Sequence, residues 1–159
     1  RSLGFASPCG KNIEELASTS SNYITLPYSV KGNDVSFSGL LSATKTIAKN
    51  SKNDACYSLQ ETAFAMISES VERALSFTNK KELMIVGGVA ANKRLSEMLQ
   101  DVCKRHGCKF SVVPLQYAGD CGSQICWTGL LESQVKSGVS LKDTFVTQSW
   151  RLDSVKINY

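Results

Sequence analysis

Hydrophobic and polar residues alternate along this chain with two periods. Between residues 55 and 78, Leu59, Ala63, Phe64, Ile67, Val71, Ala74 and Leu75 recur at steps of three and four, the spacing of one helix face. Asp54 stands where an N-cap belongs and Thr78-Asn79-Lys80 closes the segment, so a long helix is predicted over 55–78. Lys11–Ser18 reads as a short amphipathic helix with Ile13, Leu16 and Ala17 on one side. Another helix follows Ser38 or Gly39 and runs to about Lys49. Ala91–Arg105 turns Leu95, Met98, Leu99 and Val102 inward and has Gly107 past its end. A last helix is expected over about Gly122–Val135. Glu82–Val86 is a strand whose unbroken apolar run, Leu83 to Val86, predicts burial on both faces. Phe110–Val113 is the next strand. Weaker strand candidates are Tyr23–Leu26, Tyr28–Val30, Asp34–Phe37, Thr144–Val146 and Val155–Ile157, with Pro27 and the Lys31–Asp34 turn as breaks.

Helix, strand, Gly87-Gly88, helix, strand, loop and helix follow one another from residue 55 to 135. That order predicts an α/β layer with parallel strands. Ligands of such layers gather at the loops beyond the strands' C-terminal ends. Two such loops carry candidate chemistry. Gly87 and Gly88 allow a sharp turn and a close approach of a ligand to the backbone. The helix after them offers N–H groups and a positive dipole end. Asn92 either hydrogen-bonds a sugar or phosphate there or caps the helix. In the second loop, Tyr117 to Ser123, Asp120 is either an N-cap or an exposed carboxylate able to hold a metal.

Composition narrows the class. The chain has 159 residues, room for one domain, and its 42% hydrophobic and 20% charged content excludes a disordered chain. No apolar run approaches the roughly 18–20 residues of a membrane span. Arg1 to Phe5 lacks the basic region and apolar stretch of a signal peptide. The net charge of +4 is mild. Lys80-Lys81, Lys93-Arg94 and Lys104-Arg105 are candidate nucleic-acid contacts or solvated helix ends. The six cysteines belong to a chain with enough apolar residues for a core, which reads as a reduced, intracellular protein. Cys103 and Cys108, and Cys121 and Cys126, are spaced more widely than zinc knuckles usually are. Cys103 falls on the apolar face beside Leu99, so buried thiols are expected rather than zinc. His106, the sole histidine, is expected to complement a helix C-terminus. Glu14 and Glu15 suit the first turns of a helix.

Four segments, in order, resemble one family over nearly the whole chain. They are Lys31 to Leu40 (KGNDVSFSGL), Tyr57 to Met66 (YSLQETAFAM), Val86 to Leu95 (VGGVAANKRL) and Ala118 to Gly122 (AGDCG). The resemblance is to the C-terminal half of the tRNA N6-adenosine threonylcarbamoyltransferases, formerly called O-sialoglycoprotein endopeptidases. The wording of the first two segments, with Arg151, Asp153 and Val155 near the end, is similar to the archaeal and eukaryotic branch, which works within the KEOPS complex.

The resemblance implies the C-terminal lobe of the actin/hsp70/sugar-kinase fold. It implies transfer of a threonylcarbamoyl group from threonylcarbamoyl-adenylate to N6 of adenosine 37 in tRNAs reading ANN codons. By the same resemblance Asp120 is a metal ligand, for iron or zinc, and the metal would polarise donor oxygens. Asn92 contacts the adenylate or ATP, Gly10 and Glu14 contact its ribose, and Gly87-Gly88 lines the nucleotide. The implied partners are an N-terminal lobe of the same protein, a KEOPS-type small kinase with other subunits, and tRNA. No membrane is involved, and the location is cytoplasmic, or also nuclear in a eukaryote.

Cys9-Gly10-Lys11 stands where the family usually has Gly-Gly-Pro, and Asp120-Cys121-Gly122 where it usually has Asp-Asn-Gly. The family's His-x-x-x-His metal pair and its Ser-Gly-Gly phosphate loop would precede Arg1. A chain opening on Arg1 is therefore expected to be a lobe of a longer transferase, inactive alone. The alternative is a non-enzymatic interaction module, or degenerate paralogue, that docks the KEOPS kinase. The endopeptidase reading finds no HExxH motif and no nucleophile–base pair in these residues.

Overall fold

The computed structural model of the protein describes residues 3–119, 121–151 and 154–157. Arg1, Asp120 and Asp153, named above, lie outside the described residues. The chain divides into two units, Arg1–Gly119 and Asp120–Tyr159. The first holds α1 (Gly10–Ala17), the hairpin β1 (Val30–Lys31) and β2 (Asp34–Val35), α2 (Leu40–Ala48), α3 (Lys52–Thr78), β3 (Glu82–Ile85), α4 (Lys93–Arg105) and β4 (Lys109–Val112). The second holds α5 (Gly122–Ser133) and a 3-10 turn at Leu141–Asp143.

α3 organises the first unit, with α1, α2 and α4 packed along it. Its cap is Ser51, whose Oγ accepts the Asp54 N–H at 3.2 Å. The helix thus starts earlier than the sequence predicts, and Asp54 falls in its first turn. There the Asp54 carboxylate accepts from Ser20 Oγ at 2.6 Å and Asn22 Nδ2 at 2.9 Å. Those bonds hold it below the usual carboxylate range.

The apolar stripe of α3 serves two cores. Leu59 and Ala63 pack on Leu26, Leu40 and Met66. Val71 and Leu75 pack with Val102, Cys103, Leu83 and Phe110. Because neighbours press on several sides, α3 also buries Ser58, Gln60 and Thr62. Burial of a polar group requires a partner. Ser58 Oγ accepts the Ile24 N–H at 2.9 Å, and Thr62 pairs with the Tyr23 hydroxyl at 3.0 Å. This explains why the strands expected at Tyr23–Leu26 and Tyr28–Val30 reduce to Val30–Lys31. The segment spends hydrogen bonds on α3 rather than on a ladder. Thr144–Val146 and Val155–Ile157 likewise form no strand.

β3 and β4 pair in parallel, with Glu82 opposite Lys109 and Ile85 opposite Val112, as the element order predicts. The expected burial of β3 on both faces is not found. Leu83 is half-buried in the second core, whereas Met84 is 65% and Val86 63% exposed. A sheet of two strands is too narrow to behave as the centre of a doubly covered layer. α4 presents Leu95, Leu99, Val102 and Cys103 to the interior, close to expectation, with Met98 half-buried. Glu61 of α3 meets Arg94 of α4 and Glu72 meets His106, so the two helices run in the same direction.

Candidate functional site

β3 leads directly into the glycine turn. Gly87 adopts φ 89° and ψ 168°, a conformation essentially reserved for glycine. Gly88 opens a 3-10 turn through Ala91, closed by Ala90 N–H to Gly87 O at 3.1 Å and Asn92 N–H to Val89 O at 3.0 Å. That turn occupies the residues before Asn92, so α4 starts at Lys93 rather than at Ala91. Asn92 stays extended and caps α4, its Oδ1 accepting the Leu95 N–H at 3.2 Å.

Two other helices reach this junction. From α1, Glu14 Oε1 accepts the Lys93 N–H at 2.9 Å. Gly10 begins the same helix, one turn before Glu14 and on the same face. From α3, Gln60 Oε1 accepts from Asn92 Nδ2 at 3.0 Å. The next residue, Glu61, grips Arg94 with both oxygens, at 2.7 Å to Nε and 2.8 Å to Nη2. Hydrogen bonding to Glu61 raises the Arg94 pKa above its ordinary value, against an opposing effect of burial.

Hydrogen bonds thus bring Glu14 and Asn92 to the head of α4, with the Gly87-Gly88 turn a few residues before it in the chain and Gly10 a turn from Glu14 along α1. Beside the head of α4 runs a groove of about 640 Å³ lined by Glu14, Tyr57, Gln60, Lys93 and Glu97, a volume in the range of small-ligand sites. A Cβ placed on Gly10 or Gly88 would meet no atom within 4 Å, so both backbones face open space.

One expectation changes. Two of the N–H groups at the head of α4, those of Lys93 and Leu95, are not free for a phosphate, because Glu14 and Asn92 take them. A carboxylate already occupies the positive end of the helix dipole. A phosphate arriving there would meet like charge, whereas a hydroxyl can donate to the remaining Glu14 oxygen. This junction suits a sugar-like polyol better than an anion.

Among the described residues no three His, Cys, Asp or Glu side chains form a ligand cluster. The described residues alone do not fit a metal centre. His106 is the C-terminal boundary residue of α4, and its Nε2 lies 3.1 Å from Glu72 Oε1. Cys103 is buried beside Leu75 and Val102, and burial pushes its thiol pKa up. Gln60 and Glu61 are not among the candidates the amino-acid sequence offers, and Arg94, offered as a nucleic-acid contact or a solvated helix end, is held by Glu61 instead. The one signal of Gln60 and Glu61 is the polar run Gln60-Glu61-Thr62 inside a helix otherwise patterned by its apolar stripe.

Fold and junction together define a mixed α/β protein in which a strand of a parallel pair turns through two glycines into a helix. The chain belongs to the tRNA N6-adenosine threonylcarbamoyltransferase family (TsaD), whose sequence model matches residues 1–127. It is 48% identical over 158 residues to the tRNA N6-adenosine threonylcarbamoyltransferase of Methanocella arvoryzae, covering 99% of this chain and 49% of that one. It is 48% identical over 162 residues to the protein of the same name from Methanothrix thermoacetophila, covering 100% of this chain and 49% of that one. It is 47% identical over 160 residues to a probable bifunctional tRNA threonylcarbamoyladenosine biosynthesis protein of Methanosarcina mazei, covering 100% of this chain and 29% of that one. The chain thus spans about half the length of the two transferases and less of the bifunctional protein. The actin-like fold of the family agrees with the mixed α/β architecture. No helix among the described residues is long and apolar enough to cross a membrane.

Proposed function

We propose that this chain is the C-terminal lobe of an enzyme that transfers a threonylcarbamoyl group from threonylcarbamoyl-adenylate to N6 of adenosine 37 in tRNAs reading ANN codons. The observation that carries the reading is the bond of Glu14 to the head of α4, which Asn92 caps and the Gly87-Gly88 turn leads into.

The chemistry asks for a donor held still while a weakly nucleophilic exocyclic amine attacks its carbamoyl carbon and AMP departs. Holding the donor accounts for a large share of such a rate enhancement. Here the Glu14 oxygen left free accepts from a ribose hydroxyl, the Gly87-Gly88 backbone lets the nucleoside approach closely, and Asn92 offers the N–H and lone pair that its cap and its α3 contact leave over. The N-terminal lobe of the same protein completes the cleft. tRNA, a KEOPS-type small kinase and its companion subunits are the partners, in the cytoplasm.

Gly88→Val tests the nucleotide site. With ordinary φ and open space at its Cβ, the variant folds normally, and its side chain fills the place of the ligand. Calorimetric titration of the intact protein with an ATP analogue is expected to show no binding. Unchanged binding with an unchanged melting temperature overturns the assignment. Asp120 supplies one ligand of a divalent iron or zinc in the intact protein. Asp120→Ala is expected to lower the metal content measured by elemental analysis, and equal content in variant and wild type removes Asp120 from the site.

A further inference from the structure

Asn92 does two jobs at once, and its geometry shows what keeps them apart. Its Oδ1 is fixed by the Leu95 N–H at 3.2 Å, so the atom facing α3 must be the amide nitrogen. There Gln60 Oε1 receives it at 3.0 Å. Two anchors on opposite ends of one carboxamide fix its plane, whereas the cap bond alone would leave the group free to swing about Oδ1. One N–H and one lone pair of Asn92 remain unspent, and their direction is set by where Gln60 stands. Gln60 is itself only 8% exposed, so water does not readily replace it. The spacing of the two helix turns is set separately, by the two-point Glu61–Arg94 grip on the adjacent residue.

We propose that Gln60 is a positioning residue of the nucleotide site: by accepting from Asn92 Nδ2 it aims the remaining hydrogen-bonding groups of Asn92 at the ligand. This rests on the reading of Asn92 as a nucleotide contact. Gln60 also borders the groove beside the head of α4, and the role assigned to it here is the one it exerts through Asn92, while Glu61 and Arg94 carry the helix packing. Removing the acceptor therefore affects binding more than folding.

The test is a mutant cycle on the intact protein with ATP as the calorimetric probe and thermal melting run in parallel. Gln60→Leu, which keeps the bulk and loses the acceptor, is expected to weaken ATP binding about tenfold, the scale of one hydrogen bond. Gln60→Glu keeps an oxygen at the same place and is expected to bind within about threefold of wild type. Asn92→Ser keeps the helix cap and drops the amide. In that background Gln60→Leu is expected to cost nothing further, since the route through Asn92 is gone. Equal losses in Gln60→Leu and Gln60→Glu, or a Gln60→Leu loss that persists in full on top of Asn92→Ser, overturn the proposal and leave Gln60 a packing residue. If Asn92→Ser weakens ATP binding and Gln60→Leu does not, the positioning role alone fails. If Asn92→Ser binds like wild type, the nucleotide reading of Asn92 fails, and the positioning role with it.

Discussion

The heads of α4 and α5 are built in opposite ways. Each helix follows a strand of the parallel pair in sequence, and each begins after a glycine-containing loop. The head of α4 is assembled from afar: Glu14 is 79 residues away from the Lys93 N–H it accepts, and Gln60 is 32 from Asn92. At the head of α5 the described bonds are local. Its boundary residue is Cys121, and backbone hydrogen bonds from Gln124 and Ser123 lower its thiol pKa. A junction made of distant groups holds its shape only while the tertiary fold holds. It is fit for the placement of a ligand, because each group arrives already oriented by another element. The bonds described at Cys121 come from the first turn of its own helix.

The sharpest way to break this contrast is at the glycines. Gly87→Val forces an L side chain into a glycine-only conformation and is expected to cost about 1–3 kcal/mol in denaturant unfolding. Gly122→Ala at the start of α5 meets no atom within 4 Å and is expected to be neutral, within about 0.5 kcal/mol. Equal losses would erase the distinction. Next in size is Glu14→Ala, which frees the Lys93 N–H and is expected to cost about 1 kcal/mol, as loss of a helix cap does. Glu14→Gln, which keeps an acceptor, is expected to recover most of it. An Ala variant as stable as wild type would show that α1 does not hold the head of α4.

The smallest effect on stability, and the most direct on the α5 side, concerns the thiols. Cys56 and Cys103 are buried and their pKa values raised by burial, whereas the lowered Cys121 pKa favours thiolate. Cys121 is expected to react with iodoacetamide first, with a rate that rises with pH at lower values than for a free thiol. Mass spectrometry of partly alkylated protein decides it. A Cys121 no faster than Cys103 would contradict the local account.

The same contrast explains what the amino-acid sequence made legible. Gly87, Gly88 and Asn92 stand together in one run, so the turn and its cap could be read where they occur. The inward residues of α4 followed from period alone, and the parallel pairing from element order. Glu14 and Gln60 act across the fold, and nothing local distinguishes a carboxylate that will cap another helix from one that merely suits its own. Asp54 does not cap α3 for a related reason: Ser20 and Asn22 draw its carboxylate away, while Ser51 takes the local role. The segments around Tyr23 and Tyr28 form less strand than their residues predict because their β-prone side chains are spent on contacts to a helix.

The matched direction of α3 and α4 has a consequence for how the gene can vary. Glu61 meets Arg94 near one end of the pair, and Glu72 meets His106 about three turns further on. One codon gained or lost between those points, in either helix alone, would turn everything beyond it by roughly 100° and slide it about 1.5 Å. One of the two pairings would then face the wrong way. Length changes should find room in the turn after Thr78 and be absent from 62–71 and 95–105.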